Sequence, residues 1–162
     1  MMRKLELKDA PKMMETLNDK DVTNTMRVSL RSFSLEDCEQ YILKSQKDNI
    51  NIDFAITDEK DNWVGTVSLK DINFDKKEAE YAIITSKEVH GKGYSQKATK
   101  EILKYAFETL KLDKVYLYVS VNNIRANKFY QKFGFIFDRC EKNGLKIGDT
   151  YHDINWYYAL KK

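Results

Sequence analysis

Two short segments of the chain have residue types and spacings that could do chemistry. The first, His90–Ser95 (HGKGYS), places two glycines just before a predicted helix. Glycines let the main chain turn tightly, and the first turn of a helix has N–H groups without partners and a positive dipole end. This combination suits the binding of phosphate oxygens, and Lys92 could add positive charge at its edge.

The glycine pair is weak evidence when it is taken alone. Glycine makes up about 7% of residues in proteins, so a Gly-x-Gly arises about once by chance in a chain of this length. The segment lacks the third glycine of a dinucleotide-binding loop and the Gly-Lys-Ser/Thr ending of a Walker loop. A helix-entry turn without a ligand therefore remains an alternative.

The second segment is Asn122–Phe135 (NNIRANKFYQKFGF), in which a polar cap and a phenol on a short predicted helix precede a glycine turn. A phenol with a pKa of about 10 could protonate a leaving thiolate, whose pKa should be about 8.5. Two other roles remain open. Asn123 could be only a helix N-cap, and Tyr130 could be only a core residue, because it shares an apolar stripe with Phe129 and Phe133.

The surrounding pattern predicts the elements that must position these segments. Strands are predicted at Arg3–Leu7, Asn51–Thr57, Trp63–Leu69, Glu78–Thr85, Lys114–Val121, Gly134–Arg139 and Asp153–Leu160, and helices at Pro11–Leu17, from Ser34, at Ser95–Leu110 and at Ile124–Phe133. The strand from Lys114 is apolar on both faces, which is typical of a central strand. We predict an α/β fold with a central mixed, mostly antiparallel sheet of about seven strands flanked by helices.

Composition limits the class of protein. The 162 residues fit a single domain over 1–162, and 28 basic against 25 acidic residues are too balanced for a nucleic-acid binder. The N-terminus lacks an apolar signal core and no run reaches membrane-spanning length, so we expect a cytoplasmic protein that does not enter a membrane. The two cysteines fit no metal spacing, so no metal is expected.

The chain resembles the GNAT superfamily of acetyl-CoA-dependent N-acetyltransferases. The matching positions of the second segment are Asn123, Ala126, Tyr130, Gly134 and Phe135. Within the superfamily, Ala79–Ser95 (AEYAIITSKEVHGKGYS) and Thr150–Leu160 are most similar to bacterial polyamine acetyltransferases and ribosomal-protein N-terminal acetyltransferases. The chain departs from the usual pattern at His90, where Gln or Arg is common, and at Ser95, where Gly or Ala is common.

The resemblance implies a reaction in which an amine attacks acetyl-CoA directly in a ternary complex. It also implies that the strand at Ile83–Thr85 splays from the next strand and offers main-chain groups to the pantetheine arm, with an N–H near Ile84 holding the oxyanion. Tyr130 would be the general acid. The residues that it assigns to the co-substrate are Ile83, Ile84, Thr85, His90, Gly91, Lys92, Gly93, Tyr94, Ser95, Asn123, Ala126 and Lys128.

The attacking amine must be neutral, which makes a base desirable. An alkylammonium has a pKa of about 10.4, so little of it is neutral at pH 7. Glu80 is the candidate base because it lies on the strand that should border the cofactor wedge. The alternatives are a solvated Glu80 without a role, and a water chain ending at Glu78 or at a main-chain carbonyl.

The sequence leaves the acceptor open among a polyamine, a protein N-terminus and an amino sugar. Arg27 and Arg31 would suit an acceptor with a phosphate or carboxylate. The acidic residues that would suit a cationic amine are Glu36, Asp37, Glu39, Asp149 and Asp153. The aromatic residues Tyr151, Trp156, Tyr157 and Tyr158 of the last strand are expected to be exposed, which is compatible with a homodimer through that strand. An acyl-CoA-binding sensor without turnover is the alternative function, and a protein-interaction module that does not bind acetyl-CoA is a third class.

Overall fold

A computed structural model describes residues 2–162 of the chain, and this part contains seven strands and five α-helices. The strands are β1 Met2–Lys4, β2 Ile52–Thr57, β3 Trp63–Asn73, β4 Glu78–Thr85, β5 Lys114–Ser120, β6 Ile136–Ile147 and β7 Thr150–Leu160. The helices are α1 Ala10–Leu17, α2 Lys20–Thr23, α3 Leu35–Ser45, α4 Tyr94–Lys104 and α5 Ile124–Phe133, with 3-10 turns at Leu7–Asp9, Arg27–Leu30 and Lys87–Val89.

All seven strands form one sheet in the order β1-β2-β3-β4-β5-β7-β6. Every neighbouring pair is antiparallel except β4 and β5, which are parallel. Their pairing covers only Glu78–Glu80 against Lys114–Tyr116. Beyond these three residues β4 stays beside β3 and β5 stays beside β7, so the two strands diverge and leave a wedge. The predicted mixed, mostly antiparallel sheet flanked by helices is confirmed.

The helices bury apolar side chains on both faces of the sheet. On one face α4 and α5 cover a core that includes Ile102 and Tyr130, together with Tyr81 and Leu117 from the strands. On the other face α1 and α3 pack against the first strands in a second cluster that includes Ile42. Successive strand residues point to opposite faces, so each strand of the sheet contributes to both environments.

Several element boundaries differ from the sequence-based expectation. The segment 21–34, expected to be irregular, contains part of α2 and the 3-10 turn Arg27–Leu30. The helix expected to reach Leu110 changes to a π-helical turn at Tyr105–Thr109. The closing strands are longer than expected, because the tight turn at Gly148 lets β6 and β7 pair up to Ile147 and Thr150.

Ser34 followed three residues later by Asp37 predicts a capping box at the start of α3, and this prediction is confirmed. The Ser34 hydroxyl oxygen accepts a hydrogen bond of 3.1 Å from the Asp37 N–H, and the Asp37 carboxylate accepts one of 2.9 Å from the Ser34 N–H. These reciprocal bonds satisfy two main-chain donors that the helix itself cannot use.

One buried amide, Asn127, fixes α5 to the sheet. Its Nδ2 donates to the main-chain carbonyl of Ser120 at 3.0 Å, where β5 ends. Its Oδ1 accepts hydrogen bonds from Asn155 Nδ2 at 2.8 Å and from the Tyr157 hydroxyl at 2.9 Å, both on β7. Asn127 therefore sets the position of α5, and with it the position of Tyr130 one turn further along.

We expect Asn127→Ala to lower the free energy of unfolding by about 2–3 kcal/mol, because buried partners on β5 and β7 lose their hydrogen bonds. Urea unfolding followed by circular dichroism measures the change. The control is Lys128→Ala at an exposed neighbouring position, which should change the free energy by less than about 0.5 kcal/mol. Equal stability of the two variants would contradict this role of Asn127.

Candidate active site

The direction of main-chain groups along β4 can be read from its pairing with β3. The Ser86 N–H donates to the Val64 carbonyl at 2.9 Å. In an antiparallel pair, residues alternate between those that exchange hydrogen bonds and those whose main-chain groups point away. Ile84, opposite Thr66, lies two residues before Ser86, so its N–H and carbonyl point to the same side, towards β3.

The main-chain groups of Ile83 and Thr85 consequently point to the open side of β4. The neighbour on that side, β5, has already diverged, so these groups face the wedge. The expectation that an Ile84 N–H holds the oxyanion is corrected: on this edge the N–H of Ile83 faces the opening. An extended ligand in the wedge could pair with Ile83 and Thr85 as a further strand would.

The glycine loop leaves several donors free at the start of α4. Gly91 has φ of +79° and Gly93 has φ of +85°, the left-handed region in which glycine is favoured. The main-chain N–H of Lys92 donates to Val89 at 3.1 Å. Within residues 2–162 the N–H groups of Gly91, Gly93, Tyr94 and Ser95 have no hydrogen-bond partner.

The space above this loop is open as well. A Cβ added at Gly91 or Gly93 would meet no atom within 4 Å. Free N–H groups at a helix N-terminus beside open space fit the phosphate groups of CoA, because they can approach the oxygens closely. The sequence-based interpretation of His90–Ser95 therefore has the required geometry.

Arg125 crosses the mouth of the wedge from α5 to this loop. Its Nη2 donates to Nε2 of His90 at 3.2 Å. Burial, together with the positive charge of Arg125, lowers the pKa of His90, so the ring is neutral near pH 7 and can accept this bond. Among residues 2–162 no carboxylate forms an ion pair with Arg125, so its charge remains available.

Arg125 is not among the site residues predicted from the sequence. A signal was present, because a cation in the first turn of a helix is opposed by the helix dipole. Such a residue is more easily explained by a negatively charged partner outside the helix than by helix stability.

Tyr130 is held in an aromatic cluster. Its ring packs edge-on against Tyr81 at 5.9 Å and against Phe135 at 5.6 Å between ring centroids. Burial raises the pKa of the Tyr130 phenol, so the hydroxyl keeps its proton at physiological pH. The predicted packing role is thus present, and the side chain is also a neutral proton donor.

Tyr130 differs from the two buried phenols beside it. Tyr81 is 2% exposed and shares a hydrogen bond of 2.9 Å with Thr99, and Tyr157 is 1% exposed and donates to Asn127. Tyr130 is 7% exposed and is the least enclosed of the three.

Glu80 lies at the apex of the wedge, on the last rung that β4 shares with β5, opposite Tyr116. It is half-buried, and burial, reinforced by the negative charge of Asp71, raises the pKa of its carboxyl, while Lys70 acts in the opposite direction. Within residues 2–162 no side chain forms a hydrogen bond or an ion pair with this carboxylate. Glu80 is therefore a stronger base than an ordinary glutamate and is free to act.

The sheet face that carries Glu80 is lined with aromatic rings further along β5 and β7. We call Tyr116, Tyr118, Trp156 and Tyr158 the aromatic face. Ring centroids of Tyr118 and Trp156 are 5.4 Å apart. The guanidinium of Arg139 lies 4.9 Å from the Trp156 ring, and the ammonium of Lys114 lies 5.1 Å from the Tyr158 ring. Two cationic side chains of the protein, Arg139 and Lys114, therefore already pack on rings of the aromatic face.

A cavity of 180 Å³ opens on the aromatic face. It is lined by Glu78, Lys114, Tyr116, Asp138, Arg139, Trp156, Tyr157 and Tyr158. Acidic and aromatic side chains thus line the cavity together, and the cavity begins on the strand that carries Glu80.

Two of the carboxylates expected to attract an acceptor have other partners. Asp37 belongs to the capping box and lies 3.4 Å from Arg31 Nη2, and Asp153 accepts a hydrogen bond of 2.9 Å from the Asn143 N–H. Arg27 acts electrostatically on Tyr118, so the turn that contains it lies near the aromatic face. The carboxylates that line the cavity are those of Glu78 and Asp138, of which Asp138 accepts a hydrogen bond of 2.6 Å from Arg139 Nη1.

The remaining predicted residues surround the wedge with different roles. Asn123 caps α5, since its Oδ1 accepts a hydrogen bond of 3.2 Å from the Ala126 N–H. This confirms the N-cap, whereas a contact between Asn123 and a ligand stays a prediction. The side chains of Lys92 and Lys128 are exposed.

Two kinds of feature are absent from residues 2–162. No group of three or more histidine, cysteine, aspartate or glutamate side chains could hold a metal ion. No helix in this part of the chain has the length and apolar character needed to span a membrane.

Comparison with known proteins gives a consistent result. The family model described as the acetyltransferase (GNAT) domain matches residues 1–136. A spermidine N(1)-acetyltransferase of Vibrio cholerae is 32% identical over 79% of this chain and 74% of its own length. A putative ribosomal N-acetyltransferase of Bacillus subtilis is 30% identical over 60% of this chain and 54% of its own length.

Solved structures agree with the sequence matches. The crystal structure of the Vibrio cholerae spermidine N-acetyltransferase in complex with CoA and spermine has a TM-score of 0.86 and 28% identity, and the match covers 99% of this chain and 94% of that one. The whole described fold therefore matches that of a crystallised spermidine N-acetyltransferase. The chain belongs to the GNAT acetyltransferase family and is an acetyl-CoA-dependent N-acetyltransferase.

Proposed function

We propose that the chain acetylates a primary amine of a polyamine, with Glu80 as general base and Tyr130 as general acid. The observation that supports this most strongly is the unpaired carboxylate of Glu80 at the apex of the wedge, next to the aromatic face. Relatives named as spermidine acetyltransferases and a neighbour crystallised with CoA and spermine support the same class of acceptor.

Acetyl-CoA supplies the acetyl group as a thioester. The free N–H groups before α4 would bind its phosphates, with Arg125 and Lys92 adding positive charge. Main-chain groups of Ile83 and Thr85 would pair with the extended arm of the molecule. The N–H of Ile83 would then donate to the oxyanion that forms on the carbonyl oxygen.

The proton transfers follow from the positions of two residues. At pH 7 only about one alkylamine in a few thousand is neutral, so removal of its proton is a large part of the barrier. Glu80 accepts this proton and releases it to solvent before the neutral nitrogen attacks, and it accepts the second N–H proton as the nitrogen–carbon bond forms. Tyr130 donates its proton to sulfur as the carbon–sulfur bond breaks, and both residues recover their starting protonation from solvent.

The aromatic face suits an extended polycation. An ammonium over a tryptophan or tyrosine ring gains about 0.5–2 kcal/mol, depending on how far it is desolvated. Arg139 and Lys114 occupy such positions over Trp156 and Tyr158, and a polyamine would compete with them. Glu78 and Asp138 on the same cavity would balance its further charges.

A comparison of acceptors tests the proposed substrate class. Release of free CoA thiol is measured with spermidine, spermine, N-terminal peptides and amino sugars. We expect the highest kcat/KM with a polyamine. Preference for a peptide would favour the protein N-terminus, which the ribosomal relative suggests. Binding of acetyl-CoA without turnover of any amine would favour the sensor instead.

The role of Tyr130 predicts a specific kinetic change. Tyr130→Phe keeps the ring in its aromatic cluster but removes the proton, so kcat should fall by about 100-fold or more while the Kd of acetyl-CoA stays nearly constant. Steady-state kinetics and isothermal titration measure the two quantities. Tyr157→Phe is a matched control, because it removes a neighbouring hydroxyl that is bonded to Asn127. An unchanged kcat in Tyr130→Phe would remove this residue from the acid role.

The glycine loop can be tested with two substitutions that strain the main chain similarly. Gly93→Ala and Gly148→Ala each place a side chain at positive φ, which costs about 1–2 kcal/mol of stability. Only Gly93 precedes α4, where the added methyl group would keep phosphate oxygens from the donors. We expect a Kd for acetyl-CoA at least about tenfold higher in Gly93→Ala alone. Equal affinities in the two variants would contradict phosphate binding at this loop.

Three further expectations stay predictions. These are a single acetyltransferase domain over residues 1–162, a homodimer formed through the C-terminal strand, and a cytoplasmic location. The ring of Tyr151, at 56% exposure, is compatible with such a dimer, whereas the expectation that Tyr157 is exposed is wrong, because its side chain is buried in the core.

A further inference from the structure

A buried carboxylate beside the proposed active site binds three polar side chains. Asp53 on β2 is 7% exposed. It accepts hydrogen bonds from the Tyr41 hydroxyl at 2.6 Å, from the Ser68 hydroxyl at 2.5 Å and from Lys70 Nζ at 2.9 Å. Lys70 Nζ also donates to the Tyr41 hydroxyl oxygen at 2.7 Å. The ammonium of Lys70 is therefore held at a defined place.

Lys70 is the direct cross-strand partner of Glu80 in the β3–β4 pair. Directly opposite residues of an antiparallel pair share a face of the sheet, and opposite charges in such positions normally attract each other. Yet within residues 2–162 the only ion pair of Lys70 is with Asp53, and Glu80 has none. Lys70 is directed towards β2 and away from Glu80.

We propose that Asp53 is a positioning residue for the acetyl transfer: with Tyr41 it holds the Lys70 ammonium away from Glu80 and so leaves the base unpaired. This inference rests on the proposed role of Glu80. It gives Asp53 of β2, Lys70 of β3 and Tyr41 of α3 an indirect effect on the reaction, although none of them needs to touch a substrate.

The physical reason is the competition between two cations for one carboxylate. An ammonium bound to Glu80 would occupy the oxygens that must accept the proton of the amine and would stabilise the charged form, which makes a weaker base. The charged and titratable groups that face Glu80 are Lys70 and Asp71 from β3, Tyr116 and Tyr118 from β5, and Glu78 from its own strand. Lys70 is the cation in this group.

The test begins with Asp53→Asn, which keeps the side-chain shape and removes the charge that holds Lys70. Activity requires unprotonated Glu80 and is lost as the pH falls through its pKa. Pairing with the released Lys70 should move this acid limb of kcat/KM to lower pH by about one unit. The maximal kcat/KM should fall by about tenfold or more, because the paired carboxylate is a poorer base.

The second variant removes the released cation. In Asp53→Asn/Lys70→Met, Glu80 is unpaired again, and kcat/KM should recover to within about threefold of the original value. The acid limb should return to the original pH or lie above it. Asp53→Asn also leaves the partly buried Lys70 ammonium without its counter-charge, and Lys70→Met would relieve that structural defect too. The shift of the acid limb in Asp53→Asn is therefore the decisive reading, because a loss of stability alone would not move it. A double variant no more active than Asp53→Asn would overturn the proposal, as would an unchanged activity and pH profile in Asp53→Asn.

A milder pair of variants covers the case in which Asp53→Asn fails to fold. Tyr41→Phe removes the second acceptor of Lys70 and should cause a smaller decrease that Lys70→Met again repairs. Ser68→Ala is the matched control, because it removes one hydrogen bond of Asp53 and none of Lys70. Equal effects of Tyr41→Phe and Ser68→Ala would contradict the proposal.

Glu80→Gln separates this inference from the proposed function. If Glu80→Gln keeps full activity, the base is elsewhere and both ideas are wrong. If Glu80→Gln loses activity while Lys70→Met repairs neither Asp53→Asn nor Tyr41→Phe, the base is correct and only the positioning role of Asp53 is wrong.

Discussion

The three rungs of parallel pairing between β4 and β5 are the constraint on which the rest of the site depends. If the pairing continued, the main-chain groups of Ile83 and Thr85 would be used within the sheet and no ligand could pair with them. If it were absent, the two halves of the sheet would not be joined. The short pairing therefore gives both a continuous sheet and an open edge with free donors and acceptors.

The proposed acid and the proposed base lie on opposite faces of the sheet, in different environments. Tyr130 and Tyr81 lie in the core under α4 and α5, where burial keeps the phenols protonated. Glu80 lies on the other face, where partial burial without a partner strengthens it as a base. Asn127 ties α5 to the end of β5 and to β7, so the position of α5 against the sheet is set by hydrogen bonds as well as by apolar packing.

The sequence predicted the fold and the two main segments, because their signals are local. Glycines before α4, the cap at Asn123 and the alternation along β4 depend on neighbours in the chain. What the sequence did not predict depends on distant partners: the contact of Arg125 with His90, the direction of Lys70 towards Asp53, and the structural use of Asp153. The free N–H of β4 belongs to Ile83 and not to Ile84. This could be assigned only once the register of β4 with β3 was known.

The alternation of Glu80 and Tyr81 along β4 has a consequence for how this sequence can change in length. One inserted or deleted residue within the strand would exchange its two faces, placing the carboxylate in the core and the phenol outside. Length variation among relatives should therefore be confined to the turn at Phe74–Lys77 before β4 or to segments after Thr85, while the spacing between these points stays constant.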